Sequence, residues 1–270
     1  MDDAIGVIER EADGLQVNLE HLPFETDGGV GARASVGLLV LEVDQTIEDE
    51  VRTVWPRDGV GLYATRLPND PMITPETLRA MEARIAPTTA LLAPPADLSV
   101  IGFGCTSAAM VIGEERVAEL VRSMRPGVKV TDPVTAMLAA FRALGVRRIG
   151  LLTPYIAEIN QAMRAALMAR GLDVPAMASF NESDDTVVGR ITPASIVAGV
   201  ERLAALDSCD GVFVSCTSLR VVKIAEEIEA RTGKPVTSSN HAMAWHMLRL
   251  AGIDDVIPGY GRLYRTPLAG

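Results

Sequence analysis

Short, continuously apolar runs alternate with amphipathic stretches along most of the chain. Val36-Gly37-Leu38-Leu39-Val40-Leu41 carries no polar side chain, which is the pattern of a strand covered on both faces. Further strands are predicted over Val60 to Thr65 and over Leu98 to Gly104. Between them, Thr74-Pro75-Glu76 has the form of a helix start, with an N-cap hydroxyl and Pro at the first helical position. That helix is predicted from Pro75 to Ile85, where Pro87 should stop it. Another is predicted over Met110 to Met124. Residues 1–34 show no clear periodicity and read as an N-terminal extension, with Asp27-Gly28-Gly29-Val30-Gly31 as a flexible joint.

The second half repeats the first. Ile149-Gly150-Leu151-Leu152 echoes Val36-Gly37-Leu38-Leu39, and Val212 through Cys216-Thr217-Ser218 echoes Val100 through Cys105-Thr106-Ser107. Val236-Thr237 before Ala242-Met243 echoes Val130-Thr131 before Ala136-Met137. The offset drifts from 113 (Val36 to Ile149) to 111 (Cys105 to Cys216) to 106 (Val130 to Val236), as loop deletions produce. So long a period means two duplicated α/β domains, each an open parallel sheet, and not a solenoid. Any two α/β halves share apolar runs, but the repeated Cys-Thr-Ser asks for more than that.

Composition narrows the function. The 270 residues are 48% apolar and 22% charged, as in a folded globular protein. Asp and Glu number 35 against 25 Lys and Arg, a formal charge of −10. Without a basic run, nucleic acid and anionic membrane surfaces are excluded as partners. The first residues are acidic where a signal peptide is basic, and no apolar run approaches the ~20 residues that span a bilayer. A cytoplasmic protein is therefore expected. Three cysteines without a C-x-x-C pair make no disulfide scaffold, so any cysteine chemistry should be thiol chemistry.

Cys105 and Cys216 are both predicted where a buried strand gives way to a helix. Ligands of open α/β sheets bind at the carboxyl ends of strands, beside helix N-termini. A helix N-terminus should lower the thiol pKa from its free value of about 8.5. Thr106, Ser107, Thr217 and Ser218 add hydroxyls and backbone N–H groups for a carboxylate or an oxyanion. Two such domains facing each other would bring both thiols to one substrate. That arrangement suits either proton exchange from opposite faces or covalent addition by one Cys with the other as acid. A buried Cys is otherwise a small hydrophobe, and Cys209 is read that way. The three histidines make no metal-ligand spacing with the cysteines, and His241 and His246 read as packing residues. Gly102-Phe103-Gly104-Cys105-Thr106-Ser107 lacks the third Gly of a dinucleotide fingerprint. No metal or cofactor is expected.

These motifs resemble the aspartate/glutamate racemase superfamily, in its maleate isomerase and arylmalonate decarboxylase branch. The resemblance runs from about Val36 onward. It rests on the two cysteine turns, on Gly145-Val146-Arg147-Arg148 leading into Leu151-Leu152-Thr153-Pro154-Tyr155, and on Pro258-Gly259-Tyr260-Gly261-Arg262-Leu263. Within the branch the chain is most similar to the ectoine-utilisation type. The resemblance implies two Rossmann-like domains related by a pseudo-two-fold axis, with a cofactor-free and metal-free site between them. It assigns residues 35–145 plus 236–270 to the first domain and 146–235 to the second. It further implies that Cys105 and Cys216 are the catalytic pair and that Tyr155 contacts substrate. The same resemblance gives Asn181 an amide contact, an Asx turn being the alternative.

Arylmalonate decarboxylases have Gly at the first cysteine position, so two cysteines argue here for isomerisation or racemisation. Glutamate racemases follow their second Cys with Thr-His, whereas Cys216-Thr217-Ser218 stands here. Where maleate isomerases carry an Asn after the first strand, this chain has Asp44. A carboxylate there would repel a dianion and attract an ammonium or amidinium, unless Asp44 is a helix cap. The expectation is a cofactor-independent racemase or isomerase of a small carboxylate, amino- or amidine-bearing and of the ectoine-related kind. Maleate-type isomerisation through a Cys adduct, arylmalonate-type decarboxylation and non-catalytic carboxylate binding are the alternatives. The sequence leaves homo-oligomerisation open.

Overall fold

The apolar runs become the inner strands of two sheets. The computed structural model describes residues 21–93 and 96–269; the first twenty residues of the expected extension lie outside them. Residues 21–33 form neither helix nor strand. In the first half the elements are β1 (Ala34–Leu41), α1 (Ile47–Val54), β2 (Val60–Leu67), α2 (Pro75–Ala80) and α3 (Glu82–Ala90). There follow β3 (Val100–Gly104), α4 (Thr106–Ile112), α5 (Glu114–Met124), β4 (Lys129–Thr131) and α6 (Pro133–Leu144). The second half comprises β5 (Arg148–Thr153), α7 (Ala157–Ala169), β6 (Asp173–Ser179), α8 (Asp185–Val188) and α9 (Pro193–Ala204). It ends with β7 (Gly211–Val214), α10 (Ala225–Thr232), β8 (Val236–Ser238) and α11 (Ser239–Leu250).

The two sheets run β2-β1-β3-β4 and β6-β5-β7-β8, all parallel. The strand permutation is the same in both, as the duplicated sequence requires. Every residue of β3 and β7 is buried, because helices cover both faces of a parallel sheet.

Each half sends its last helix across to the other. On α6, Phe141 meets Phe213 of β7 edge-on, with ring centroids 6.2 Å apart. On α11, Met247 and Met243 lie over Gly102 of β3, where a Cβ would come within 2.6 Å of the Met247 sulfur. Ser239 through Arg249 are all buried, the mark of a helix enclosed on every side. Each large apolar side chain so enclosed contributes about 1.5–3 kcal/mol relative to exposure. By sheet pairing, Val236–Ser238 goes with the second sheet, while the helix after it lies on the first.

Two expected helices differ. Pro87 sits inside α3 and does not stop it; losing one N–H to the turn before costs less than the burial of Ile85, Thr88 and Thr89 around it returns. The predicted Met110–Met124 helix is two helices, broken at Gly113 with φ +96°, a conformation that glycine adopts without penalty.

Candidate active site

The carboxyl ends of both sheets meet at one cavity. Its wall includes Cys105, Thr106, Ser107, Tyr155, Cys216 and Thr217. Cys105 follows β3 directly and caps α4, its Sγ accepting the N–H of Ala108 at 3.4 Å and lying 3.7 Å from the Ser107 hydroxyl. Tyr155 follows β5, its carbonyl pinned by Asn160 Nδ2 at 2.6 Å and Ser179 Oγ at 2.5 Å. The cavity volume is about 20 Å³, room for about one water molecule.

Cys216 sits differently from Cys105. No helix starts after it: α10 begins only at Ala225, which corrects the expectation of a helix N-terminus at both cysteines. The N–H groups of Val221 and Val222, which a helix start would leave free, are taken by the carboxylate of Glu50 on α1 at 3.0 Å. Asn240 Nδ2 donates to the Thr217 carbonyl at 2.7 Å and Thr46 Oγ1 to the Ser218 carbonyl at 3.1 Å. The Cys216 N–H donates to Ser239 Oγ at 3.0 Å, and that hydroxyl meets Thr106 Oγ1 at 2.7 Å. A three-membered link thus joins the two cysteine turns. Cys216 itself holds φ +133°, a strained backbone that only an over-determined surrounding sustains.

Burial raises both thiols, against the expected lowering. Cys105 is pushed up to about 12 by desolvation, with Asp185 and Asp44 adding to it and the Ala108 N–H and Ser107 hydroxyl opposing. Cys216 is raised well above the usual thiol range, again first by burial and then by Asp185. The Ser218 N–H and the Tyr155 hydroxyl pull it the other way. The short helix α4 does not offset removal from water at Cys105, and no helix starts at Cys216 to oppose it there.

Three of the expected substrate contacts are not on the wall. Ser218 stands behind it and donates from Oγ to Asp185 Oδ1 at 2.8 Å. Asp44 also stands behind it: Oδ1 accepts the N–H groups of Thr46 at 2.7 Å and Ile47 at 2.9 Å, a helix-cap role. Its Oδ2 is buried without a hydrogen-bond partner, although the Thr217 hydroxyl is near enough to oppose the rise that burial gives its pKa. Asn181 is exposed at φ +55° in the turn after β6. Asn tolerates that conformation better than most residues, and the turn, not a ligand, explains it there.

The wall also holds Asp185, which the sequence did not single out. It begins α8 and is 92% buried, being 8% exposed. Burial lifts its carboxyl to about 6, against the pull of the Ser218 hydroxyl. Asn69, Asp70, Met72, Ile73 and Thr77 close the opposite side. Among the described residues no group of His, Cys, Asp and Glu could hold a metal ion. His241 and His246 are buried, hydrogen-bonded to Thr237 and Thr131.

A family model described as arylmalonate decarboxylase matches residues 36–264. The chain belongs to the arylmalonate decarboxylase family. Family members similar to it include an arylmalonate decarboxylase of Bordetella bronchiseptica, 35% identical over 170 residues, 62% of this chain and 71% of that one. A maleate isomerase of Nocardia farcinica is 29% identical over 245 residues, 87% of this chain and 96% of that one. A solved structure of a Nocardia farcinica maleate cis-trans isomerase mutant, with a covalently bound succinylcysteine intermediate, superposes with TM-score 0.79 at 28% identity. It covers 86% of this chain and 98% of its own. A liganded double mutant of arylmalonate decarboxylase gives TM-score 0.76 at 29% identity, over 86% and 99%. The family's duplicated α/β fold is this chain's fold, and the family is one of enzymes. No helix among the described residues is long and apolar enough to cross a membrane.

Proposed function

We propose that this protein is a cofactor-independent isomerase, acting as a racemase on a small carboxylate that bears an amino or amidinium nitrogen. The observation that carries the reading is that Cys105 and Cys216, one from each half, line a single cavity. One sulfur, as thiolate, removes the proton from the carbon beside the carboxylate, and the electron pair left behind spreads into that carboxylate. The other thiol then returns a proton to the opposite face, leaving the charge on its own sulfur. Ser107, Thr106 and Thr217 supply hydroxyls where the carboxylate charge grows. Both thiols rest protonated, so substrate binding must bring one of them to the thiolate.

The nitrogen is inferred from charge. The cavity wall carries Asp70 and Asp185 but no Lys, Arg or His, so a dianion would enter against like charge at short range. Ectoine-type amidine acids and simple amino acids both fit that requirement.

A second reading is cis-trans isomerisation through a covalent Cys adduct, favoured by the succinylcysteine in the Nocardia farcinica relative. Proton NMR in deuterated water separates the two. Single enantiomers of amino acids and of ectoine, and maleate, are incubated with the protein and followed for exchange at the carbon beside the carboxylate. Exchange with loss of optical purity in a nitrogen-bearing acid is the expected result. Conversion of maleate to fumarate, with no exchange in any nitrogen-bearing acid, would replace this reading with the second.

A further inference from the structure

We propose that Asp185 is the specificity-determining residue of this site, the carboxylate that receives the cationic nitrogen of the substrate beside Cys216. The inference rests on the isomerase reading and adds to it the group that selects the substrate.

Asp185 is buried on the cavity wall, and the hydrogen bonds its side chain accepts from the described residues go to one oxygen, Oδ1. Its Oδ1 accepts the Ser218 hydroxyl at 2.8 Å and lies 3.9 Å from the Cys216 sulfur. Its Oδ2 is not among the fully enclosed unpartnered oxygens and stays accessible. The other charges that bear on it are Asp44 and Asp184, both negative. A buried carboxylate is normally paired or neutralised. Here no cationic side chain among the described residues pairs it, although the Ser218 hydroxyl orients the carboxylate from behind. Its main-chain N–H is also fixed, donating to the Pro71 carbonyl at 3.2 Å. A group held this firmly with an oxygen left over is ready for a donor that arrives from outside, and an ammonium or amidinium supplies both N–H donors and the missing charge.

The same contact would act on the thiol. After burial, Asp185 is the next influence holding Cys216 in the protonated form. A cation on Asp185 cancels that influence and adds a positive charge near the sulfur, which favours the thiolate. The substrate's nitrogen would therefore help to generate the base that acts on it. A dianion at the same place would do the reverse, so discrimination arises from repulsion of the wrong ligand as well as attraction of the right one.

The test compares the full-length protein with Asp185→Asn and Asp185→Glu. Binding of racemic alanine, racemic 2,4-diaminobutyrate, ectoine, maleate and phenylmalonate is measured by calorimetry, and exchange by NMR in deuterated water. Asn keeps the shape and the Ser218 hydrogen bond but not the charge. The expected result is that at least one nitrogen-bearing acid binds the wild type better than maleate does, and loses on the order of 10²-fold in affinity in Asp185→Asn. Maleate binding should hold or improve in that variant, and Asp185→Glu should keep the preference for the nitrogen-bearing acid. Unchanged affinity for the nitrogen-bearing acid in Asp185→Asn overturns the proposal. So does a wild type that prefers the dianions, or that binds none of the nitrogen-bearing acids. Cys105→Ser and Cys216→Ser keep the two claims apart: each should lose racemisation of a single enantiomer while one face can still exchange. If racemisation survives in both, the two-thiol reading fails, while the binding comparison still decides the role of Asp185.

Discussion

Cys105 shows how burial and a helix end compete at one sulfur. The N–H of Ala108 reaches it, yet desolvation dominates and the thiol is pushed up to about 12. Alkylation by iodoacetamide, followed at Cys105 and Cys216 by peptide mass spectrometry, should therefore climb about tenfold per pH unit from pH 6 to 9. A plateau below pH 8 at either residue would show a resting thiolate instead. Asp44 makes a contrasting case. Its capping oxygen can be replaced by that of Asn, and its second oxygen is a buried charge acceptor with nothing to accept from. Asp44→Asn should leave stability unchanged or raise it by up to about 1 kcal/mol, since Asn caps as well as Asp does. Thermal denaturation reads this directly, and a loss above about 2 kcal/mol would mean that the ionised form is needed. Reading the residues in order exposed the cysteines because Cys-Thr-Ser occurs twice at matching places. Asp185 gave no such signal: it lies in a polar stretch, four residues beyond Asn181, and only the fold turns it inward. Ser239 and Glu50 were hidden for the same reason, since their partners lie more than twenty residues away in the chain.

At the scale of elements, α1 and the turn after Cys216 are joined through Glu50. Burial raises its carboxyl to about 7, against the N–H groups of Val221 and Val222 and the amide of Asn240. The folded pKa thus lies above the ordinary value of 4.5, so the folded state holds its proton longer than the unfolded chain does. The associated stability is fully present below about pH 4.5 and is lost as pH rises through about 7, a change on the order of 3 kcal/mol. Asp132 and Asp185, both raised to about 6 by burial, contribute to the same decline. Urea unfolding at pH 5 and pH 8 should show it, and Glu50→Gln should flatten it by Glu50's share. An identical decline in the variant would place the effect elsewhere. The strands were legible because residues buried on both faces leave no polar positions, as in β3, β7 and Val36–Leu41 of β1. Helix ends were less so. Pro87 carries a local stop signal, but packing around Ile85 overrides it.

For the whole molecule, the exchange of α6 and α11 between the halves ties their stabilities together. Neither sheet is covered without a helix that the other half supplies, so two separate melting transitions are not expected. Calorimetry should give one transition, with equal van't Hoff and calorimetric enthalpies. A fragment spanning 34–145 should fail to fold, because Gly102 and its neighbours lose the cover of Met243 and Met247 while Phe141 loses Phe213. Two resolved transitions, or a cooperatively folded fragment, would separate the halves after all. The duplication was readable from the repeated motifs, and the family resemblance assigned residues 236–270 to the first domain; the crossing of α6 gave no signal in its apolar spacing.

Across the mouth of the cavity the two halves also touch through main chain alone. Met72 and Asp184 form an antiparallel bridge, the Ile73 N–H donates to the Ser183 carbonyl at 3.1 Å, and the Asp185 N–H to Pro71. With space for about one water molecule behind this seam, a larger substrate fits only when the cavity widens. Traffic, and not proton transfer, would then set the pace of turnover. Raising solvent viscosity with sucrose should lower kcat roughly in proportion, and deuterium at the reacting carbon should change it little. A full isotope effect with no response to viscosity would mean that the seam opens freely and the chemistry is slow.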